Sequence, residues 1–123
     1  MRTYRFTPRR RVLVADNDPQ ATQGLAVLLK HLGHDVHVAH DGPAALEAAQ
    51  RNEPHVVILG LGLRGLDGYR VLERLRGFSR APVVALSRSA REEDHQQLRA
   101  AGFDEHLVKP THLKALRRLI DQL

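Results

Sequence analysis

The chain has no cysteine and no tryptophan, and only two tyrosines, three phenylalanines and one methionine in 123 residues. Without cysteine there are no disulfides, thiolate metal sites or cysteine nucleophiles. So few aromatics leave no stacking platform of the kind single-strand nucleic-acid binders use. Long apolar runs are missing too. The longest mostly apolar stretch, Val56 to Leu63, falls far short of the roughly 18 residues a membrane helix needs. The run behind the basic N-terminus, Val12 to Ala15, is too short for a secretion signal and meets Asp16 at once. These absences point to a soluble, cytoplasmic protein. The length suits one domain, able to bury roughly two-thirds of its unfolded surface in a single core.

The formal charge of +5 at first suggests a nucleic-acid or anionic-surface partner. Arg2, Arg5, Arg9, Arg10 and Arg11 supply that excess with no acid among them. Without them the rest of the chain carries 14 basic and 14 acidic groups. The positive charge therefore belongs to an arm, residues 1–10, expected to be flexible, ahead of a domain over 11–123. A nucleic-acid contact would have to come from that arm and is not expected of the domain.

Five short apolar runs follow: Arg11–Ala15, Asp35–Ala39, His55–Leu59, Pro82–Leu86 and Glu105–Val108. They lie too far apart for hairpins and suit strand–helix–strand units. Three are continuously apolar, as strands are when helices cover both sheet faces. The second alternates (Asp-Val-His-Val-Ala), as an edge strand does.

Helical spacing fills the gaps. Asp18 and Pro19 open a helix whose Leu25, Leu28, Leu29 and Leu32 share a face, closed by Gly33. Pro43 starts a second, ending before Pro54. Val71, Leu72, Leu75 and Phe78 mark a third. Ser89-Ala90-Arg91-Glu92 has the capping-box pattern of a fourth, and Thr111 precedes a fifth. The reading is α/β: a doubly wound, five-stranded parallel sheet, (βα)5. Ligands of such sheets sit beyond the carboxyl ends of the strands, so the residues after each run are the ones to examine.

Those residues carry a resemblance that covers nearly the whole chain. Val12-Leu13-Val14-Ala15-Asp16-Asn17-Asp18-Pro19, Asp41-Gly42-Pro43, Gly65-Leu66-Asp67-Gly68-Tyr69, Val84-Ala85-Leu86-Ser87 and Leu107-Val108-Lys109-Pro110 occur in order. Together they resemble the receiver domain of bacterial response regulators. The resemblance implies a flavodoxin-like strand order, 2-1-3-4-5, and a signal-transduction module of two-component or phosphorelay type, without enzymatic activity.

It also implies what is changed. The family's third strand ends in an aspartate that accepts a phosphoryl group from a histidine kinase; here that position is Gly60. The acidic pair that helps to hold Mg²⁺ becomes Asp16 and Asn17, and the carbonyl ligand would be that of Gly62. The family's pocket, three carboxylates and a lysine, here keeps only Asp16 and Lys109 as charged members, which are expected to pair with each other. Mg²⁺, a hard cation that wants anionic oxygen, is then lost or held weakly at Asp16, and no other cofactor is implied. Asp18 is expected to cap its helix.

Ser87, His106 and Lys109 match the family's switch positions, while Arg64 stands where the family prefers proline. Arg91, His95, Arg99, His106, Lys114, Arg117 and Arg118 would form a basic face on the fourth and fifth helices and fifth strand. The expected partner is a protein: a histidine kinase, an effector domain, another regulator, or a second copy in a homodimer. Contact would be phosphorylation-independent.

Two alternatives stay open. One is an anion or phospho-ligand in the space left beside Gly60, Ser87 and Lys109. The other is nucleotide binding, because Gly60-Leu61-Gly62-Leu63-Arg64-Gly65 reads GxGxxG after a strand. That motif lies on the third strand rather than the first, and the receiver loop already accounts for Gly62 and Gly65. His31, His34, His37 and His40 recur every third residue but straddle a helix end, a turn and a strand, so they predict no common metal face. No GxSxG, HExxH or Walker motif occurs.

Overall fold

Val12–Val14, Val56–Leu59 and Val83–Leu86 are apolar throughout because the strands they form are covered on both faces. The computed structural model describes residues 8–88 and 91–123, with backbone alone at 92–94. Its strands are β1 (Arg11–Ala15), β2 (Asp35–Ala39), β3 (Val56–Gly60), β4 (Val83–Ser87) and β5 (Glu105–Val108). Alternating with them are α1 (Pro19–His31), α2 (Gly42–Asn52), α3 (Gly68–Leu75), α4 (Glu92–Ala101) and α5 (Leu113–Gln122). The strands pair in parallel in the order β2-β1-β3-β4-β5. The expected fold is the observed one.

The core has two layers. On one face Val12, Val14 and Ile58 meet Leu25 and Leu29 of α1 and Leu116 and Ile120 of α5. On the other, Leu13, Val57 and Leu59 meet Ala45 and Ala49 of α2, Val71, Leu72 and Leu75 of α3, and Leu98 of α4. β2 lies at the edge and is half open, as its alternating sequence requires. Among the described residues no helix is long and apolar enough to cross a membrane.

Aspartates fix three helix starts. Asp18, Asp41 and Asp67 accept from the backbone N–H of Gln20 (3.0 Å), Ala44 (2.7 Å) and Arg70 (3.0 Å), satisfying donors that a helix N-terminus leaves unpaired. The aspartates aim their helices, so α2 and α3 begin beside the C-terminal ends of β2 and β3.

Three details differ from the sequence reading. β3 and β4 begin and end one residue later than their apolar runs, because Gly60 pairs with Leu86 and Ser87 with Val108 in the sheet. α3 stops at Leu75 and not Phe78, which is 45% exposed. The chain turns there, with Phe78 and Ser79 both donating to the Leu75 carbonyl. The proposed capping serine, Ser89, lies outside the described residues; Arg91 is the residue before α4 and makes no side-chain cap bond.

Of the N-terminal arm, residues 1–7 lie outside the described residues. Arg9 pairs with Asp35, which holds the Asp35 carboxyl below its usual range. The Arg10 N–H donates to His34 Nδ1 (3.1 Å).

Candidate functional site

The parallel order puts the C-terminal ends of β1, β3, β4 and β5 along one edge of the sheet. Ala15 lies opposite Leu59, so Asp16 follows β1 directly beside Gly60. Asp16 is 2% exposed. Its Oδ2 accepts from Lys109 Nζ (2.8 Å) and from the Asp18 N–H (3.1 Å). Lys109 is brought there by β5, its own N–H bonded to the Ser87 carbonyl (2.8 Å). The expected Asp16–Lys109 pair is present, and Asp18 is the cap.

Gly60 explains where the other Asp16 oxygen goes. A Cβ at position 60 would fall on Asp16 Oδ1, well inside contact distance, and 2.9 Å from Asp16 Cγ. The carboxylate occupies the space at the end of β3 that a side chain there would need. This corrects one alternative drawn from the sequence: the space beside Gly60 is not an open anion pocket, because a negative group already fills it and neutralises Lys109. The same carboxylate would repel a pyrophosphate at the GxGxxG loop. That loop also packs tightly, since a Cβ on Gly68 would come within 2.6 Å of the Gly60 carbonyl oxygen. Arg64 is exposed and bound through its backbone, its carbonyl accepting from the Gly42 N–H (2.9 Å). The loop is thereby sewn to the start of α2.

The switch residues form a second group. Ser87 Oγ and His106 Nε2 are 2.6 Å apart, and the His106 ring stacks on His95 of α4 with centroids 5.9 Å apart. Ser87 therefore faces β5 and α4, while Lys109 faces β1. The basic face splits as well. Lys114 and Arg118 line a hollow of about 660 Å³ beside His106 and His112. Arg117 lies on the opposite flank of α5, with His31, His34 and Asp121, so it does not belong to the surface it was assigned to. Arg99 reaches Glu105 (3.7 Å). Arg91 is exposed at the start of α4.

The residues at the sheet edge that the family resemblance assigns to Mg²⁺ are otherwise disposed. Asp16 is committed to Lys109, Asn17 is an exposed amide and position 60 has no side chain. No group of three or more His, Cys, Asp or Glu side chains among the described residues is placed to hold a metal. The histidine series likewise disperses: His34 is buried against the Arg10 N–H, His40 Nε2 lies 3.2 Å from Thr22 Oγ1, and His31 and His37 are exposed.

Comparison with known proteins places these features. Residues 12–121 match the response regulator receiver domain. The chain belongs to that family. The transcriptional regulatory protein KdpE of Mycobacterium tuberculosis is 42% identical to this receiver domain over 99 residues, covering 80% of it and 44% of KdpE. The receiver domain thus spans less than half of that relative. Chemotaxis response regulator CheY4 of Vibrio cholerae superposes with a TM-score of 0.86 at 25% identity, covering 94% of this chain and 98% of its own. The receiver domain of sensor histidine kinase PA1611 from Pseudomonas aeruginosa has a TM-score of 0.83 at 25% identity, with 94% and 97% covered. That structure has a magnesium ion coordinated in its active-site cleft.

Sequence reasoning missed two parts of the site. Thr22 is fully buried and bonds the Pro19 carbonyl (3.0 Å) as well as facing His40. Its signal was a position three residues before Leu25 on the apolar face of α1. The place of the Asp16 carboxylate at position 60 left no signal at all, because a missing side chain does not say what fills its place.

Proposed function

We infer that this receiver domain takes no phosphoryl group on an aspartate and acts by phosphorylation-independent protein–protein contact, with no catalysis of its own. One observation carries the reading: the Asp16 carboxylate fills the space at Gly60 and holds Lys109 at 2.8 Å. The acceptor is absent, its volume is taken, and the lysine that would neutralise a phosphoryl group is already neutralised. With no cluster of carboxylates among the described residues, recruitment of Mg²⁺ is lost or weak. Such a domain stays in one conformational state unless a partner prefers the other, since only differential binding shifts a two-state equilibrium.

The contact surface in this reading is the flank of β5, with His95 and His106 stacked and Lys114 and Arg118 beside them. It suits an acidic patch on a histidine kinase, an effector domain or another regulator, or on a second copy of the chain. The test is incubation with Mg²⁺ and acetyl phosphate, followed by intact-mass measurement. The expected spectrum shows no added phosphoryl group; a stoichiometric adduct, released by hydroxylamine as acyl phosphates are, would overturn the reading.

A further inference from the structure

A groove of about 690 Å³ lies between α1 and the β5–α5 connection, with Lys109, the partner of Asp16, at one end. Its volume is in the range of small-molecule sites, which are mostly apolar with a few polar groups placed to orient the ligand. Leu25, Leu28 and Leu86 supply the apolar surface. Two cations, Arg88 and Lys109, stand at the end near the carboxyl edge of the sheet. Lys109 is matched by Asp16, and the Asp18 carboxylate at the same end is turned to the Gln20 N–H. Arg88, exposed, makes no ion pair or hydrogen bond among the described residues. Among the described residues Arg88 is thus the groove's one cation without an ion pair, above an apolar floor and with the Asp18 carboxylate at the same end.

Gly24 gives a second, independent indication. It lies in the interior of α1 and on the groove wall. A glycine there costs helix stability relative to alanine. Packing does not demand it, because a Cβ at this position would meet nothing within 4 Å. The glycine's one effect on the surface is to leave the groove wall flat, open to a ligand lying against the helix backbone.

We propose that this groove binds small amphipathic carboxylates, the apolar body on Leu25, Leu28 and Leu86 and the carboxylate on Arg88. The site gives the domain a chemical input that needs neither a phosphoryl acceptor nor a metal. It stands independently of the reading of Gly60.

The test uses 2-naphthoate as the probe and its uncharged analogue 2-naphthalenemethanol, each titrated into ¹⁵N-labelled full chain. Naphthoate is expected to give saturable amide shifts centred on Ala21, Gly24, Leu28 and Thr111. The alcohol is expected to bind about tenfold more weakly, the loss of one charge-assisted hydrogen bond at a partly solvated site. Gly24→Leu, whose side chain has open space to enter, should keep a dispersed spectrum and abolish the shifts. Arg88→Gln, on an exposed side chain, should weaken naphthoate about tenfold and leave the alcohol unchanged. No saturable shift, shifts centred elsewhere, or equal binding of acid and alcohol would each overturn the proposal. So would unchanged naphthoate binding in Arg88→Gln.

Discussion

A methyl group at position 60 would collide with Asp16 Oδ1. In Gly60→Ala the carboxylate must therefore rotate away, giving up Lys109 Nζ and the Asp18 N–H. Because Asp16 can turn outward, the cost is less than that of a fully stranded buried charge, and a loss of about 1–3 kcal/mol is expected by urea unfolding. The loss should shrink when Lys109→Met is already present, because both changes remove one contact. Full additivity would mean that Gly60 and Lys109 do not act through Asp16. His34 sets a separate expectation. Burial holds its imidazole below the ordinary value of 6.5, helped by Arg10 and opposed by Asp121 and Asp35. Its Nδ1 must stay unprotonated to accept from the Arg10 N–H. Well above pH 6.5 the ring is neutral in both states and adds no pH dependence. As pH falls through that value, the unfolded chain takes up a proton the folded one refuses, and stability drops. His34→Asn, with an oxygen near the Nδ1 position, should flatten the difference in unfolding midpoint between about pH 7.5 and about pH 5.5. An unchanged difference would remove His34 as a cause.

At the scale of elements, the helix starts matter most, because they decide where loops meet the sheet edge. Asp41 both caps α2 and lies beside Arg64 of the β3–α3 loop through a backbone bridge. Asp41→Ala should cost about 1 kcal/mol and lower the melting temperature by about 5 °C; a change within error would show that the cap bond is replaced by water. Three strands, β1, β2 and β5, were legible to the residue, since their apolar runs end where charged or turn residues begin. β3 and β4 were not, because Gly60 and Ser87 are held in the sheet by main-chain pairing that no side-chain pattern announces. Phe78 continued the apolar spacing of α3, but Gly77 and the bonds to the Leu75 carbonyl end the helix first. Apolar spacing reports a face and is silent on where the backbone turns.

Across the whole molecule, the two-layered core follows from continuous apolar strands, and their spacing was enough to give the doubly wound sheet. The site was legible in its charges: two groups of opposite sign and no third made the Asp16–Lys109 pair the simplest outcome. Its shape was not, because the inward turn of Asp16 depends on β1 and β3 being neighbours. Arg117 was misplaced for a similar reason. It adjoins Arg118 in sequence, yet helical rotation sends the two to opposite flanks of α5. The measurement that tests the account most directly is an amide spectrum recorded with and without Mg²⁺ and beryllium trifluoride, a mimic of the aspartyl phosphate. Gly60, Ser87 and Lys109 are expected to stay in place, since position 60 offers no carboxylate and Asp16 is held by Lys109. Shifts at those three residues that spread to His106 would contradict it, because another carboxylate would then be serving as the acceptor.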